Sequence, residues 1–205
     1  MAPTHVLLMR HGETDASSAG LFSGLHDVPL SEKGLSQARR WARFFADLEA
    51  SRSVFCSPLK RAQQTAVAAG LTNPPTLTDL REWDLGELEG IPSDGFRKEH
   101  PGWSLFREGP PNGTGESPEV VVRRARRVRD AMESGSSELC VLVSHGQFLR
   151  AVTTVLLDLP LATAAALSFG PARAGLVTMR ANGQYSLTGW NLAAPDPASA
   201  LEGLT

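Results

Sequence analysis

Hydrophobic and polar positions along this chain fall into alternating short runs and helical stripes. Val6-Leu-Leu-Met9 is a continuous apolar run between polar neighbours, the pattern of a short strand buried on both faces. Residues 10–30 are rich in Gly, Ser and Asp, lack a helical period and predict a loop. From there Leu35, Ala38, Ala42, Phe45 and Leu48 recur at helical spacing, and Ser31 stands where it would cap a helix starting at Glu32. Val54-Phe55-Cys56 predicts a second strand. Pro58 then predicts the start of a helix running through Ala62, Thr65, Ala66 and Ala69 to Gly70.

Residues 71–116 break the rhythm, with six prolines and seven glycines. A structureless stretch of that length is uncommon in a compact domain unless it serves a function, so short helices over a site are expected there. Ser117-Pro118-Glu119 then opens a helix with the stripe Val121, Ala125, Val128 and Met132. Leu139–Val143 is the clearest strand. Ser144-His145-Gly146 follows, and then a helix bearing Leu149, Val152 and Leu156. Two last strands are expected near 174–180 and 185–190, joined by an Asn182-Gly183 turn. Alternating strands and helices predict an α/β domain with a mostly parallel sheet.

Length and composition narrow this further. The 205 residues suit one domain, 1–205, with an irregular cap insertion at about 91–116 and a mobile tail over 193–205. A net charge of −2 gives no general attraction to nucleic acid or anionic membrane. The dense run Arg123–Arg129 reads as a solvated helix face, since Val121, Ala125 and Val128 point inward. Cys56 and Cys140 cannot build a disulfide scaffold or a cysteine-only zinc site and are expected as buried thiols. The N-terminal apolar run is too short for a secretion signal, and no stretch approaches a membrane span; a soluble, cytoplasmic protein is expected.

The chemistry concentrates at strand ends. Arg10-His11-Gly12 directly follows one predicted strand, and Ser144-His145-Gly146 follows another. Ligands of parallel α/β sheets bind at the carboxyl ends of strands, so both histidines fall on one edge of the sheet. Arg61 sits near the start of the helix after a third strand and can join them. Two guanidiniums with imidazoles favour a compact dianion, above all phosphate, and helix-start N–H groups would help to hold it. A histidine among phosphate oxygens can also act as nucleophile. Metal is the rival use, but none of the five histidines makes an H-x-x-x-H or H-E-x-x-H pair, and Arg10 would repel a cation beside His11. No metal and no cofactor are expected.

Leu8-Met-Arg-His-Gly-Glu-Thr14 resembles the signature of the histidine phosphatase superfamily, the phosphoglycerate-mutase-like fold. Phe22–Gly34, Cys56–Ala66, Leu80–Gly90 and Val143–Gly146 resemble the family's later blocks, in the family's order. The resemblance implies a three-layer α/β/α sandwich. It implies that His11 attacks phosphorus and forms a phosphohistidine, and that Arg10, Arg61 and His145 clamp the phosphoryl oxygens. Glu82, after Leu-Arg, would protonate the leaving oxygen and then activate water, with Glu87 as the rival carboxylate. That role asks Glu82 to hold a proton, which burial near Trp83 or the phosphate charge would promote. Asp84, Glu87 and Glu89 otherwise read as solvated loop acids. Ser17, Ser23, Gly24 and Gly146 are further candidates for binding substrate.

Ser17 and Leu21 depart from the mutases of this family, which usually carry Asn and Arg there; both departures weaken recognition of a phosphorylated carboxylic acid. Family mutases carry a longer segment between the acid/base Glu and the second His and use a C-terminal tail as part of a lid, so the 63 positions from Glu82 to His145 and the short Pro-rich tail imply an open site that favours hydrolysis. Glu82-Trp-Asp-Leu-Gly86, with Pro101-Gly-Trp103 and Gly115-Glu-Ser117, resembles the small-molecule and acid phosphatase branch. A phosphomonoester hydrolase on a small phosphorylated substrate is therefore expected. Phosphoglycerate mutase is the alternative, and a phosphate-binding pseudoenzyme is the reading from another class. Protonated His145 and Glu82 would favour acid conditions. Homodimers occur in the family, and a homodimer stays open here. Phe96, His100, Trp103, Phe106 and Arg107 of the cap would either contact an organic substrate or pack on one another.

Overall fold

The computed structural model describes residues 2–48 and 51–195. Strands β1 (His5–Arg10), β2 (Arg52–Cys56) and β3 (Leu139–Ser144) pair in parallel, with β3 between the other two. β4 (Ala174–Met179) and β5 (Tyr185–Leu192) extend the sheet beyond β1 as an antiparallel hairpin, giving the order β2-β3-β1-β4-β5. The sheet is therefore mixed. Its parallel half carries the crossovers, and the hairpin turns through Asn182-Gly183, where Gly183 adopts φ 80°. The expected tail falls mostly on 196–205, outside the described residues.

Period-two alternation along β1 explains the layers. Val6 and Leu8 join Cys140 and Leu142 in one core, while Leu7 and Met9 join Val141 and Val143 in the other. The first core is closed by α7 (Pro118–Glu133) and α8 (Gly146–Leu156), through Val121, Ala125, Val128, Phe148 and Val152. The second is closed by α3 (Ala42–Asp47) and α4 (Lys60–Ala68), through Phe45, Ala62 and Ala66, with α2 (Glu32–Arg39) packed against α4. Cys56 and Cys140 are both free and buried, and burial raises their thiol pKa values to about 12 and about 11.

Two expected boundaries move. The single helix from Glu32 to Leu48 is two, α2 and α3, broken at Arg40–Trp41. Ser31 does cap α2, accepting the Gly34 N–H at 3.1 Å. The break lets Trp41 turn into the core, where its indole N–H donates to the Ala172 carbonyl at 2.9 Å. The helix after β2 begins at Lys60, two residues past Pro58, because Leu59 is extended. Residues 71–116 hold short elements: 3-10 turns at Thr78–Leu80, Gly86–Leu88 and Pro111–Gly113, and helices α5 (Ser93–Glu99) and α6 (Leu105–Glu108). Phe96 and Trp103 pack edge to face with each other and with Phe22, and both lie against the first core, which also takes in Phe22 and Phe106, so these aromatics extend that core and do not form one of their own.

Candidate active site

The strand register sets the site. Arg10 lies opposite Ser144 and Cys56 opposite Val143, so the three residues that follow, His11, His145 and Ser57, emerge on one edge of the sheet. The His11 N–H donates to the Ser144 carbonyl and the Ser57 N–H to the Val143 carbonyl, each at 2.9 Å. The His11 and His145 ring centroids are 5.1 Å apart. Glycine at 12 and 34 permits the loop behind His11 to fold tightly: a Cβ on Gly12 would meet the Gly34 carbonyl oxygen at 2.4 Å, and one on Gly34 the Glu13 oxygen at 2.0 Å.

A cavity of about 130 Å³ opens here, with Arg10, His11, Glu82 and Gly146 on its wall. That is below the range of drug-sized ligands and fits a small polar group. His11 donates from Nδ1 to the Gly12 carbonyl at 2.7 Å. A carbonyl only accepts, so Nδ1 carries the proton and Nε2 keeps its lone pair. Burial, then Arg10 and Arg61, holds the His11 pKa well below the ordinary histidine value. His11 is thus a neutral base poised at a site of positive charge.

Two donors on the wall lack partners. Arg10 gives Nη1 to the Phe169 carbonyl, but its Nε is buried with no partner among the described residues, and so is the Ser23 hydroxyl. Orphaned buried donors are costly, and two in one cavity mark a place for an anion. Gly146 lets Arg10 come close: a Cβ there would stand 3.1 Å from the guanidinium carbon.

Glu82 is buried on the same wall. Its Oε1 accepts from the Trp83 and Phe148 N–H groups at 2.9 and 2.8 Å, and its Oε2 from Gln147 at 3.1 Å. Two of the first-turn donors of α8 therefore serve Glu82, not a bound anion as expected from sequence. Glu87 is exposed, accepts from Asn112 Nδ2 at 3.1 Å and does not line the cavity. Glu89 is no solvated acid: its carboxylate accepts the Leu25 and His26 N–H groups at 2.6 and 2.9 Å and holds the 24–26 loop.

Arg61 and His145 stand behind the cavity and do not line it. Arg61 donates from Nε to His145 Nδ1 at 3.1 Å, from Nη1 to the His26 carbonyl at 2.6 Å and from Nη2 to the Gly24 carbonyl at 2.7 Å. An Nδ1 that accepts leaves the His145 proton on Nε2, which donates to Ser57 Oγ at 2.7 Å. Burial, then the Arg61 charge, lowers the His145 pKa well below the ordinary value. The expected protonated His145 is therefore replaced by a neutral one. Gly24 also stays off the wall; its part is to let Glu89 and Trp83 approach, as a Cβ would lie 2.5 Å from Glu89 Oε1. Ser17 lines the cavity, though its hydroxyl both accepts the Thr14 N–H and donates to the Thr14 carbonyl, at 2.9 Å each, at the start of α1 (Asp15–Ser18).

The sequence reading missed Arg97, Arg150 and Arg124. Arg97 and Arg150 line the cavity from α5 and α8. Arg124 lies beneath Glu82: it grips Glu116 through Nε and Nη2 at 3.1 and 2.7 Å, and donates to the carbonyls of Asp79, Arg81 and Glu82 at 2.8, 2.5 and 3.2 Å. Among the described residues no cluster of three or more metal-ligating side chains exists, and no helix is long and apolar enough to cross a membrane.

The chain is similar to known proteins. The profile of the histidine phosphatase superfamily (branch 1) matches residues 6–193. An acid phosphatase of Mycobacterium tuberculosis is 38% identical over 173 residues, covering 83% of this chain and 84% of the relative. A probable phosphoglycerate mutase, GpmB, of Yersinia pestis is 37% identical over 171 residues, covering 76% and 75%. The solved structure of an open reading frame product from Mycobacterium tuberculosis superposes with a TM-score of 0.85 at 36% identity, covering 93% of this chain and 98% of the other.

Proposed function

The chain belongs to the histidine phosphatase superfamily, and on that premise we propose that it hydrolyses small phosphomonoesters through a phosphohistidine on His11, with Glu82 as general acid and base. One observation carries the assignment to His11: its Nδ1 proton is fixed on the Gly12 carbonyl, leaving the Nε2 lone pair for phosphorus in a cavity with unpaired donors. In the first step Nε2 bonds to phosphorus as the ester P–O bond breaks, and Glu82 gives its proton to the leaving oxygen. In the second, Glu82 takes a proton from water, the oxygen attacks phosphorus, and the N–P bond breaks to release phosphate. Oε2 of Glu82 accepts one hydrogen bond against two at Oε1, so Oε2 is the oxygen that handles the proton. Arg10 neutralises charge on the equatorial oxygens. Arg61 and His145 support the nucleophile from behind, through charge and through the packing of the two rings.

The reading is tested with p-nitrophenyl phosphate and EDTA. Turnover is expected to survive the chelator and to fall by at least about a thousandfold in His11→Ala. Glu82→Gln is expected to lower kcat by about 10²–10⁴ and to trap an acid-labile phosphoenzyme. Unchanged turnover in His11→Ala overturns the assignment. The GpmB likeness supports phosphoglycerate mutation as the second reading, and interconversion of phosphoglycerates faster than phosphate release would establish it.

A further inference from the structure

The tautomer of His11 depends on one carbonyl, that of Gly12, and three consecutive peptide planes run past it. The first joins His11 to Gly12. Its carbonyl accepts the Ala172 N–H at 2.9 Å, and its N–H donates to Thr65 Oγ1 at 3.0 Å. The third joins Glu13 to Thr14. Its carbonyl accepts the Ser31 N–H at 3.0 Å, and its N–H donates to Ser17 Oγ at 2.9 Å. The middle plane joins Gly12 to Glu13. Its carbonyl accepts from His11 Nδ1 at 2.7 Å, and its N–H donates to Gln37 Oε1 at 2.9 Å. Among the described residues, Gln37 is the one hydrogen-bond partner of this plane besides His11 itself.

The middle plane needs that partner. Space dictates glycine at 12, since a Cβ would meet the Gly34 carbonyl oxygen, yet glycine leaves the backbone free to rotate. A trans peptide is planar, so its carbonyl and its N–H point to opposite sides and turn together. Holding the N–H on Gln37 therefore aims the carbonyl at His11. Rotation of the plane withdraws the carbonyl from Nδ1. The proton is then free to move to Nε2, where it occupies the lone pair that meets phosphorus. An acceptor on the N–H also polarises the amide and strengthens the carbonyl's hold on the Nδ1 proton.

Gln37 reaches this plane because α2 is docked on the same loop. Gly34, one turn earlier on the same face, comes so close that a Cβ there would stand 2.8 Å from the Glu13 nitrogen. Lys33 Nζ pairs with the Glu13 carboxylate at 2.7 Å. Gln37 itself is partly buried and does not line the cavity.

We propose that Gln37 is a positioning residue for the reaction at His11: it fixes the Gly12–Glu13 peptide plane, and through it keeps the His11 proton on Nδ1 and the lone pair on Nε2. The inference rests on the phosphatase reading above, but the tautomer is observable without turnover.

The test replaces Gln37 and reads the His11 ring directly. Long-range proton–nitrogen NMR correlations, assigned with His11→Asn, report which ring nitrogen carries the proton. In the wild type it is expected on Nδ1. Gln37→Leu removes the acceptor and keeps water from the Glu13 N–H, so the Nε2–H form is expected to appear. Gln37→Ala places a good helix former on α2 and admits water to the N–H, so it should shift the proton less. Gln37→Glu keeps an acceptor and should restore the Nδ1–H form. For p-nitrophenyl phosphate, kcat/KM is expected to fall about tenfold in Gln37→Leu and to recover most of that loss in Gln37→Glu. Inhibition by inorganic phosphate should stay equal or tighten, because an Nε2–H would donate to the anion, whereas a collapsed site would lose both rate and phosphate binding. A wild-type proton on Nε2, an unmoved proton in both Gln37→Leu and Gln37→Ala, a moved proton with unchanged kcat/KM, or a parallel loss of rate and phosphate binding would overturn the proposal. If the wild type hydrolyses no phosphomonoester yet Gln37→Leu moves the proton, the phosphatase reading fails and the hold of Gln37 on the tautomer stands.

Discussion

His11 and His145 each sit in full burial beside Arg61, and each is held neutral to pH values well below the ordinary histidine pKa. This fixes the sign of two pH effects. For activity, the neutral Nε2 persists as pH falls, so an acidic working range needs no protonated histidine. For stability, the unfolded chain binds protons at its histidines near pH 6.5 while the folded protein does not. Stability is then complete above about pH 6.5 and is lost as pH falls through the depressed folded values. The urea midpoint is expected to drop between about pH 7.5 and about pH 5, and to drop less steeply in His11→Asn, which cannot titrate there. Equal slopes in the two proteins would remove His11 from this account. At this scale the proposed nucleophile, His11, was readable because its Arg-His-Gly run follows a strand. Its tautomer was not, since that depends on the Gly12 carbonyl folding back onto Nδ1.

Between elements, the 3-10 turn at Thr78–Leu80 and the segment through Asp84 are bound to α7 by one buried ion pair. Arg124 and Glu116 are 1% and 7% exposed, and Arg81 adds a third partner at 3.1 Å. Glu116 also accepts the Asp84 N–H at 3.1 Å, and Arg124 lies 3.9 Å from the centre of the Phe148 ring on α8. The pair therefore fixes Glu82 between two helices. Glu116→Gln leaves a buried guanidinium without its counter-charge and is expected to cost about 3 kcal/mol in urea unfolding. Glu116→Gln combined with Arg124→Met should recover part of that loss, since removing both charges is milder than removing one. A loss under about 0.5 kcal/mol in the single variant would show that the pair is not structural. The position of Arg124 was legible in retrospect. It lies three residues after Val121 and one before Ala125, on the inward stripe of α7, but the dense arginine run obscured it. Arg97 had no such signal, because α5 buries no residue and its direction is set by the Leu21–Pro92 bridge.

Across the whole molecule, the strand order explains why so much of the site could be read from separate motifs. With β3 between β1 and β2, residues 11, 57 and 145 come together although they are far apart in sequence. The antiparallel pair β4 and β5 leaves that edge untouched. The same architecture sets an electrostatic contrast. The chain carries a net charge of −2, yet the cavity wall carries Arg10, Arg97 and Arg150 against Glu82. The net excess of two negative charges, 22 acidic against 20 basic residues, repels an approaching dianion weakly and only at low ionic strength. Concentrated in a low-dielectric cleft, the guanidiniums attract it at close range, and the near field wins. Raising ionic strength from about 0.01 M to about 0.15 M shortens the Debye length from about 30 Å to about 8 Å. It is expected to lower kcat/KM for a phosphomonoester dianion by about two- to threefold, with kcat nearly unchanged. A rise in kcat/KM with salt would mean that the net negative field governs approach, and that the arginines of the cavity act only after the substrate has arrived.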